Sequence, residues 1–254
     1  MNMRSFRARA SDNYDGAATG LVRACSYLAF LMLLSIGNAA FAQDIRYSWM
    51  DMSFMAQDVG RAGSLTPLPG QTVDIAVSDG AGVRFRGSVG TWNNFYLMFD
   101  YGSTDIDLTG RVTNTDTGFE QEFEDEFDYT TIRGGIGVKF SILYATDIYG
   151  ELTYDSLDFD FGSFAGEDFD MDRQEPGGTL GVRTILGKNF EARLHARYSA
   201  IGDADLTTGF FDSDILYGAG FAWELVRGLS IVGDYEAGEF SSWSVGFRLD
   251  LDED

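Results

Sequence analysis

The chain has 254 residues, with 40 Asp and Glu against 18 Lys and Arg, and a formal net charge of −22. This excess of acid excludes a nucleic-acid-binding role, because that binding depends on cationic contacts to phosphates. The single cysteine, Cys25, precedes an N-terminal apolar run, so the rest of the chain offers no disulfide and no cysteine-based metal site.

The N-terminal segment has the three features of a secretory signal peptide. Arginines precede the uncharged apolar run LAFLMLLSI (28–36), and the small residues Ala40 and Ala42 follow at the spacing that a signal peptidase reads. The run is short for a membrane-spanning helix; an amphipathic or buried core helix is the alternative. We predict that residues 1–42 are a cleaved signal peptide and that 43–254 form one domain.

Beyond this segment, apolar and polar residues alternate with a period of two, which is typical of half-buried β-strands. Short connections join eight of these strands into four hairpins: 83–91 with 95–101, 131–140 with 147–155, 179–186 with 190–199, and 215–225 with 229–237. A first strand at 45–55 and a last strand ending at Leu251 bring the number to ten. Eight strands is the alternative.

The connections on the opposite side are long and acidic: 56–82, 102–130, 156–178 and 200–214, with a short one at 238–241. Short turns on one rim and long loops on the other, with an even number of strands, are typical of bacterial outer-membrane barrels. We predict an all-β, antiparallel, up-and-down transmembrane β-barrel with both termini periplasmic. A soluble β protein is the alternative, because alternation alone does not show which face points outward.

The two faces of the strands differ in chemistry. One set is apolar, with aromatic residues near the strand ends, and we predict that it contacts lipid. The other set, predicted to face the lumen, is charged: Arg84, Arg86, Arg133, Lys139, Arg183, Arg193, Arg197, Arg248, Asp100, Asp147, Glu151, Asp155, Glu191, Glu224, Asp234, Glu236 and Asp250. Because an unpartnered buried charge is costly, we expect these groups to pair and plug the lumen.

Two stretches do not follow this alternation simply. In the first strand, Tyr47 and Trp49 share one parity while the apolar Met50 and Met52 share the other, so a bulge could change the faces. Farther on, Phe127 and its neighbours Phe123 and Tyr129 fall on the parity that faces the lumen at Arg133. Either a bulge intervenes, or these aromatic residues cap the lumen above the membrane.

Several strand-and-turn patterns, among them YSWMDMSFM, GVRFRGSVGTWNNFYLMFDYGSTDID and YGAGFAWELVRGLSIVGDYE, resemble the small outer-membrane β-barrel proteins of Gram-negative bacteria, described as porin-like or OmpA-type barrels. The resemblance covers about the whole of 43–254. It implies an outer-membrane protein, often of unassigned activity, in contact with outer-membrane lipid and lipopolysaccharide. We expect a monomer.

The last strand carries a second resemblance. Its pattern, Ser244-x-Gly246-x-x-Leu249-x-Leu251, is similar to the closing-strand signal of the bacterial outer-membrane assembly machinery. This implies that the machinery is a partner of the chain. The sequence departs from the usual ending, because acidic residues 252–254 follow in place of a terminal aromatic residue.

Candidate catalytic and metal-binding residues are few. The only histidine, His195, lies between Arg193 and Arg197, which favours a lumen residue in a hydrogen-bonded network over a protease group. Ser199 is four positions away on the same strand, about 13 Å and too far for a hydrogen bond. The acidic stretch 155–172 lacks the ligand spacing of a calcium loop. We predict no catalytic, cofactor-binding or metal residues; weak Mg²⁺ or Ca²⁺ bridging between loop acids and lipopolysaccharide is a further hypothesis.

These features favour a structural or surface-interaction role for the barrel. A small passive diffusion channel is the alternative, and a barrel-type surface hydrolase comes third.

Overall fold

The computed structural model describes residues 45–58, 61–65, 70–91, 94–164, 167–205, 210–238 and 241–251. The predicted signal peptide and the acidic tail lie outside these ranges. The strands are β1 (Trp49–Asp58), β2 (Arg61–Leu65), β3 (Gln71–Gly90), β4 (Phe95–Asn114), β5 (Phe119–Leu143), β6 (Thr146–Phe164), β7 (Glu167–Leu186), β8 (Phe190–Asp205), β9 (Phe210–Val226), β10 (Leu229–Ala237) and β11 (Ser241–Asp250). No helix in the described ranges is long and apolar enough to cross a membrane.

The strands form one closed antiparallel wall. Each strand from β3 to β11 pairs with the next along the chain, and β1 pairs with both β11 and β3. β2 pairs with β3 beyond the end of β1, so β1 and β2 occupy a single place in the wall. The barrel therefore has ten strands, as the sequence predicts, and not eight.

The first and last strands meet as expected. Trp49 pairs with Asp250, and the Leu251 amide donates to the Ser48 carbonyl at 2.8 Å. This contact leaves no open edge within the membrane-spanning part, where lipid could not satisfy an unpaired backbone group.

The wall presents apolar side chains outward and polar side chains inward. In β11, Trp243, Phe247 and Leu251 are about half exposed, whereas Arg248 on the alternate face is 5% exposed. From residue 243 to 251 the strand rises about 27 Å, or about 20 Å along the barrel axis at a tilt of ~40°, close to the height of an apolar membrane belt. This is the reverse of a soluble sandwich, and the protein is a transmembrane β-barrel.

Two short turns on the rim near the termini require glycine. Gly187 and Gly228 have φ angles of 75° and 80°, a left-handed conformation that other residues adopt at a cost. These turns join β7 to β8 and β9 to β10, at the rim where the described chain also begins and ends. We call this end the short-turn rim.

The connections on the opposite rim are long, but the prediction that they are loops was wrong, because much of them is β-strand. The β4–β5 ladder continues without a register shift for thirteen pairs (102–114) beyond the pair Tyr101–Ile132, and its last pair is Asn114 with Phe119. At ~3.3 Å per residue, the hairpin extends about 43 Å along the strand direction beyond the Tyr101–Ile132 pair. β6 with β7 and β8 with β9 continue as strands through much of 156–178 and 200–214. The sequence interpretation ended each strand where its outward residues stop being apolar, although the alternation continues.

The two irregular stretches contain no bulge. β1 alternates regularly, with Trp49 facing the lumen and Met50 facing outward, and its pairing with β11 is unbroken. In β5 the unbroken ladder keeps Phe127 on the inner face, where it is 3% exposed. The second explanation in the sequence analysis, that these aromatic residues cap the lumen, is confirmed for Phe127.

Candidate functional site: the lumen

The middle of the lumen is crossed by a chain of ion pairs. Arg86 donates to Asp51 at 2.8 Å and to Asp234 at 2.5 Å. Arg193 also donates to Asp234. Because these residues lie on β3, β1, β10 and β8, the chain joins opposite walls of the barrel.

A second group lies on three consecutive strands. Arg84 on β3 donates to both oxygens of Asp100 on β4, at 2.9 and 2.5 Å, and Arg133 on β5 donates to the same carboxylate. One acid thus holds two arginines, a pairing that compensates their burial.

The predicted site residues His195 and Ser199 belong to a third group. Arg197 donates to Glu236, and its Nη1 atom lies 3.4 Å from Asp155 Oδ2. The Ser199 hydroxyl donates to Asp155 at 3.2 Å, and His195 Nε2 lies 3.7 Å from Glu236. Serine and histidine therefore each face a different acid, and no nucleophile–base pair is assembled between them.

The short-turn rim holds a fourth group. Arg183 donates to Glu191 at 2.8 Å, and Arg248 bridges Glu191 and Asp250 at 3.2 and 2.8 Å. Arg46 lies 3.3 Å from Asp250. Every one of these partners was in the predicted lumen set except Arg46, which precedes β1.

The segment before β1 also fills the lumen at this rim. Tyr47 is 4% exposed, and its ring lies 4.8 Å from that of Tyr96, with the cations of Lys139 and Arg183 at 4.3 and 4.5 Å from its centroid. The sequence analysis missed this arrangement and also omitted Asp51 from the lumen set. The signal was present, since Asp51 shares the parity of Tyr47 and Trp49.

Small cavities remain between these groups. One of about 70 Å³ is lined by Trp49, Tyr149 and His195, among others, and one of about 90 Å³ by Met55, Gln57 and others. The residues that line both are Arg84, Asp100, Arg133 and Glu236. A third cavity of about 40 Å³ lies at the short-turn rim.

Beyond the apolar belt, the lumen has a different filling. Ile106, Phe159 and Leu157 are at most 2% exposed, and the Phe159 ring lies 5.8 Å from that of Phe127 and 4.9 Å from that of Tyr129. This apolar cluster occupies the interior of the long hairpins.

The outer faces of the same hairpins are acidic. Asp128 pairs across the ladder with Asp105, and Glu126 with Asp107, which places like charges opposite each other. In the ranges covered by the structure, no group of three or more His, Cys, Asp or Glu residues could hold a metal ion.

Comparisons with known proteins give fold-level likeness. No protein family and no curated protein matches the sequence. Similar solved structures include the β-domain of the Bordetella autotransporter BrkA (12% identity, 82% of this chain and 100% of that one, TM-score 0.44). The outer membrane protein OprG from Pseudomonas aeruginosa is similar at 11% identity, over 82% and 98% of the two chains, with a TM-score of 0.43.

The translocator domain of the autotransporter NalP from Neisseria meningitidis is a third example, at 14% identity over 91% and 97%, with a TM-score of 0.42. Similarities this low add nothing to the assignment of the barrel. That assignment rests on the closed strand pairing, the apolar outer belt and the ionic lumen of the chain itself.

Proposed function

We propose that this protein is a bacterial outer-membrane barrel with a closed lumen, which displays long acidic β-hairpins on the outer side of the membrane. One observation carries the proposal: along the same strand, the outer face changes from apolar to acidic and the inner face from charged to apolar. In β5, Ile136 is exposed on the outer face and Arg133 lies in the ionic lumen. Farther from the short-turn rim, Glu126 is exposed on the outer face and Phe127 is buried inside.

This exchange fits a strand that passes from lipid into water. In lipid the outer face must be apolar and the charged groups are confined to the lumen. In water the hairpins need a conventional arrangement, with apolar residues inside and acids outside. The long hairpins therefore belong outside the membrane, and the short-turn rim with both termini belongs on the periplasmic side.

The proposal of a closed lumen is supported by the ion pairs and by the size of the cavities. Arg86, Asp234 and Arg193 cross the bore, and Tyr47 occupies the rim. Cavities of about 70 and 90 Å³ hold a few water molecules rather than a continuous wide channel. The role of the barrel is then to anchor and present the hairpins.

The partners follow from the same proposal. The belt contacts outer-membrane lipid and lipopolysaccharide, and the Ser244–Leu251 pattern is read by the assembly machinery. We propose that the barrel is a monomer. Divalent cations that bridge the hairpin acids to lipopolysaccharide phosphates would make protease sensitivity of the hairpins depend on a chelator, and an unchanged cleavage pattern with EDTA would reject that bridge.

The test is refolding of residues 43–254 into detergent, followed by SDS gels with and without heating and by planar-bilayer recording. We expect a heat-dependent mobility shift and no sustained conductance. Protein that stays fully soluble and folded without detergent would reject the membrane barrel. Sustained nanosiemens conductance would reject the closed lumen and favour the small passive channel.

A further inference from the structure

The chain that precedes β1 lies inside the lumen and is not part of the wall. The ladders that β1 forms with β11 and with β3 both begin at Trp49, and the ring of paired strands is complete from there on. Residues 45–48 come before this point, yet Ile45 and Tyr47 are only 6% and 4% exposed. We call residues 45–48 the plug segment, because it fills the lumen at the short-turn rim without contributing to the ladders.

The wall opposite the plug segment forms a seat for the Tyr47 ring. Tyr47 packs with Tyr96 of β4 and Tyr149 of β6 in one buried cluster. A Cβ atom added at Gly137 would collide with the Tyr96 ring, and one added at Gly181 would collide with the Tyr149 ring. These glycines pair with the two tyrosines across the ladders, so the wall itself leaves room for both rings.

The plug segment separates two of the lumen cavities. Tyr96 and Arg183, which contact the Tyr47 ring, line the cavity of about 70 Å³. On the other side, Arg46 and Ile185 line the cavity of about 40 Å³ at the short-turn rim, and Ile185 packs against the same buried cluster. The seated ring of Tyr47 therefore lies between the rim and the cavity that borders the chain of ion pairs.

The contacts that hold the plug segment are separate from the ladders of the wall. The Ser48 carbonyl accepts a hydrogen bond from the Leu251 amide at 2.8 Å, and the Ser48 hydroxyl accepts one from the Gly90 amide at 3.2 Å. The ring of Tyr47 is held between two cations. Because none of these contacts belongs to a ladder, the segment can leave its seat while the wall stays paired from Trp49 onward.

We propose that the plug segment is a gate at the short-turn rim. With Tyr47 seated, small polar solutes from the periplasm are excluded from the cavity of about 70 Å³, and with Tyr47 unseated they enter it. Entry ends there, because Arg86, Asp234 and Arg193 still cross the bore. The lumen is then a chamber that opens to one side and not a channel. This inference rests on the proposed function in placing the short-turn rim on the periplasmic side.

Trp49 is a natural reporter of entry into this chamber. It lines the cavity of about 70 Å³ and is 8% exposed, whereas Trp223 and Trp243 face outward. The test uses refolded residues 43–254 with Trp92→Phe, Trp223→Phe and Trp243→Phe, so that Trp49 is the one remaining tryptophan. The measurement is quenching of its fluorescence by acrylamide, a small uncharged solute.

Variants of the plug test whether the ring closes the rim. Tyr47→Ala should raise the quenching constant of Trp49 about threefold, because the space of the ring opens the way to the cavity. Tyr47→Phe keeps the ring and is the matched control, so it should leave the quenching constant unchanged. Phe127→Ala alters the apolar cluster at the other end of the lumen. It should also leave the constant unchanged, because Arg133 and its partners lie between this cluster and the rim.

A disulfide tests whether the plug segment moves. A Cβ atom added at Gly90 would lie 3.4 Å from Ser48 Oγ, so Ser48→Cys with Gly90→Cys brings two thiols within bonding reach and keeps Tyr47. The natural cysteine, Cys25, precedes residue 43 and does not interfere. Oxidation should lower the quenching constant about twofold by removing the unseated state, and reduction should restore it.

The outcomes separate the explanations. Unchanged quenching in Tyr47→Ala, or an equal rise in Tyr47→Phe or Phe127→Ala, means that the ring does not close the rim and overturns the proposal. Equal quenching of the oxidised and reduced disulfide variant means that the segment does not move, which also overturns it. The heat-dependent shift is measured on the same samples and on the unsubstituted chain. Loss of the shift in both reports failure of the barrel assignment, whereas a normal shift with unchanged quenching rejects the gate alone.

Discussion

The two halves of β5 show how the surroundings decide which side of a strand is apolar. Between Ile132 and Phe140 the outer face is apolar and the inner face holds Arg133, paired with Asp100. Between Glu120 and Asp128 the outer face is acidic and the inner face holds Phe127. The ladder with β4 is continuous through both halves, so the backbone pairing is the same and only the residues on the two faces differ. With the membrane boundary proposed above, the barrel combines an ionic interior in lipid with an apolar interior in water.

The largest effect should come from breaking the ionic interior. Arg86→Leu leaves the Asp51 carboxylate buried without its guanidinium and should lower the free energy of unfolding by about 3–5 kcal/mol. Urea titration in detergent, followed by tryptophan fluorescence, measures this. The double variant with Asp51→Leu should recover a large part of the loss, and a double variant as unstable as the single one would contradict the pairing.

The apolar interior should respond locally. Phe159→Ala opens a cavity in the cluster with Phe127 and should cost about 3 kcal/mol, at the low end for such truncations because the hairpins can relax around it. We expect faster proteolysis of the hairpins with the heat-dependent shift retained. Loss of the shift together with the hairpins would show that the two interiors fold as one unit.

The outer belt should respond according to depth. Ile136→Lys places a charge near the middle of the belt and should cost about 2–4 kcal/mol, whereas Ile132→Lys, nearer the boundary with the hairpins, should cost about 0–1 kcal/mol. Both residues are about half exposed, at 54% and 44%, so exposure alone does not distinguish them. Equal costs in reversible unfolding from lipid bilayers would refute the proposed position of the boundary.

The smallest effect is expected on the outer face of the hairpins. Arg111 and Glu122 form a 2.5 Å ion pair with side chains 52% and 71% exposed. The hydrogen bond that Arg111 donates to the Glu122 carboxylate raises the pKa of Arg111, a guanidinium that is charged at any accessible pH in either case. Arg111→Gln should leave the urea midpoint unchanged, because solvent screens such a pair. A measurable loss would indicate that the hairpin faces are packed against something.

Much of this molecule follows from its local sequence pattern. Alternation fixed the ten strands, the short turns and the charged set that faces the lumen, because side-chain direction in a strand depends only on parity. The same parity predicts that His195 faces the lumen between Arg193 and Arg197, and the structure places it there, 3.7 Å from Glu236. Continued along β5, the same parity also directs Phe127 inward, and the unbroken ladder keeps it inside.

Pairing between distant residues was decided by the tertiary structure. That Asp100 serves both Arg84 and Arg133, that Asp51 meets Arg86, and that Tyr47 fills the rim depend on register and closure, which bring together residues far apart in the chain. Hairpin height is likewise a property of neighbours, because a strand continues only where another strand satisfies its backbone. The sequence therefore determined which way each side chain faces, and closure of the wall decided which ones meet.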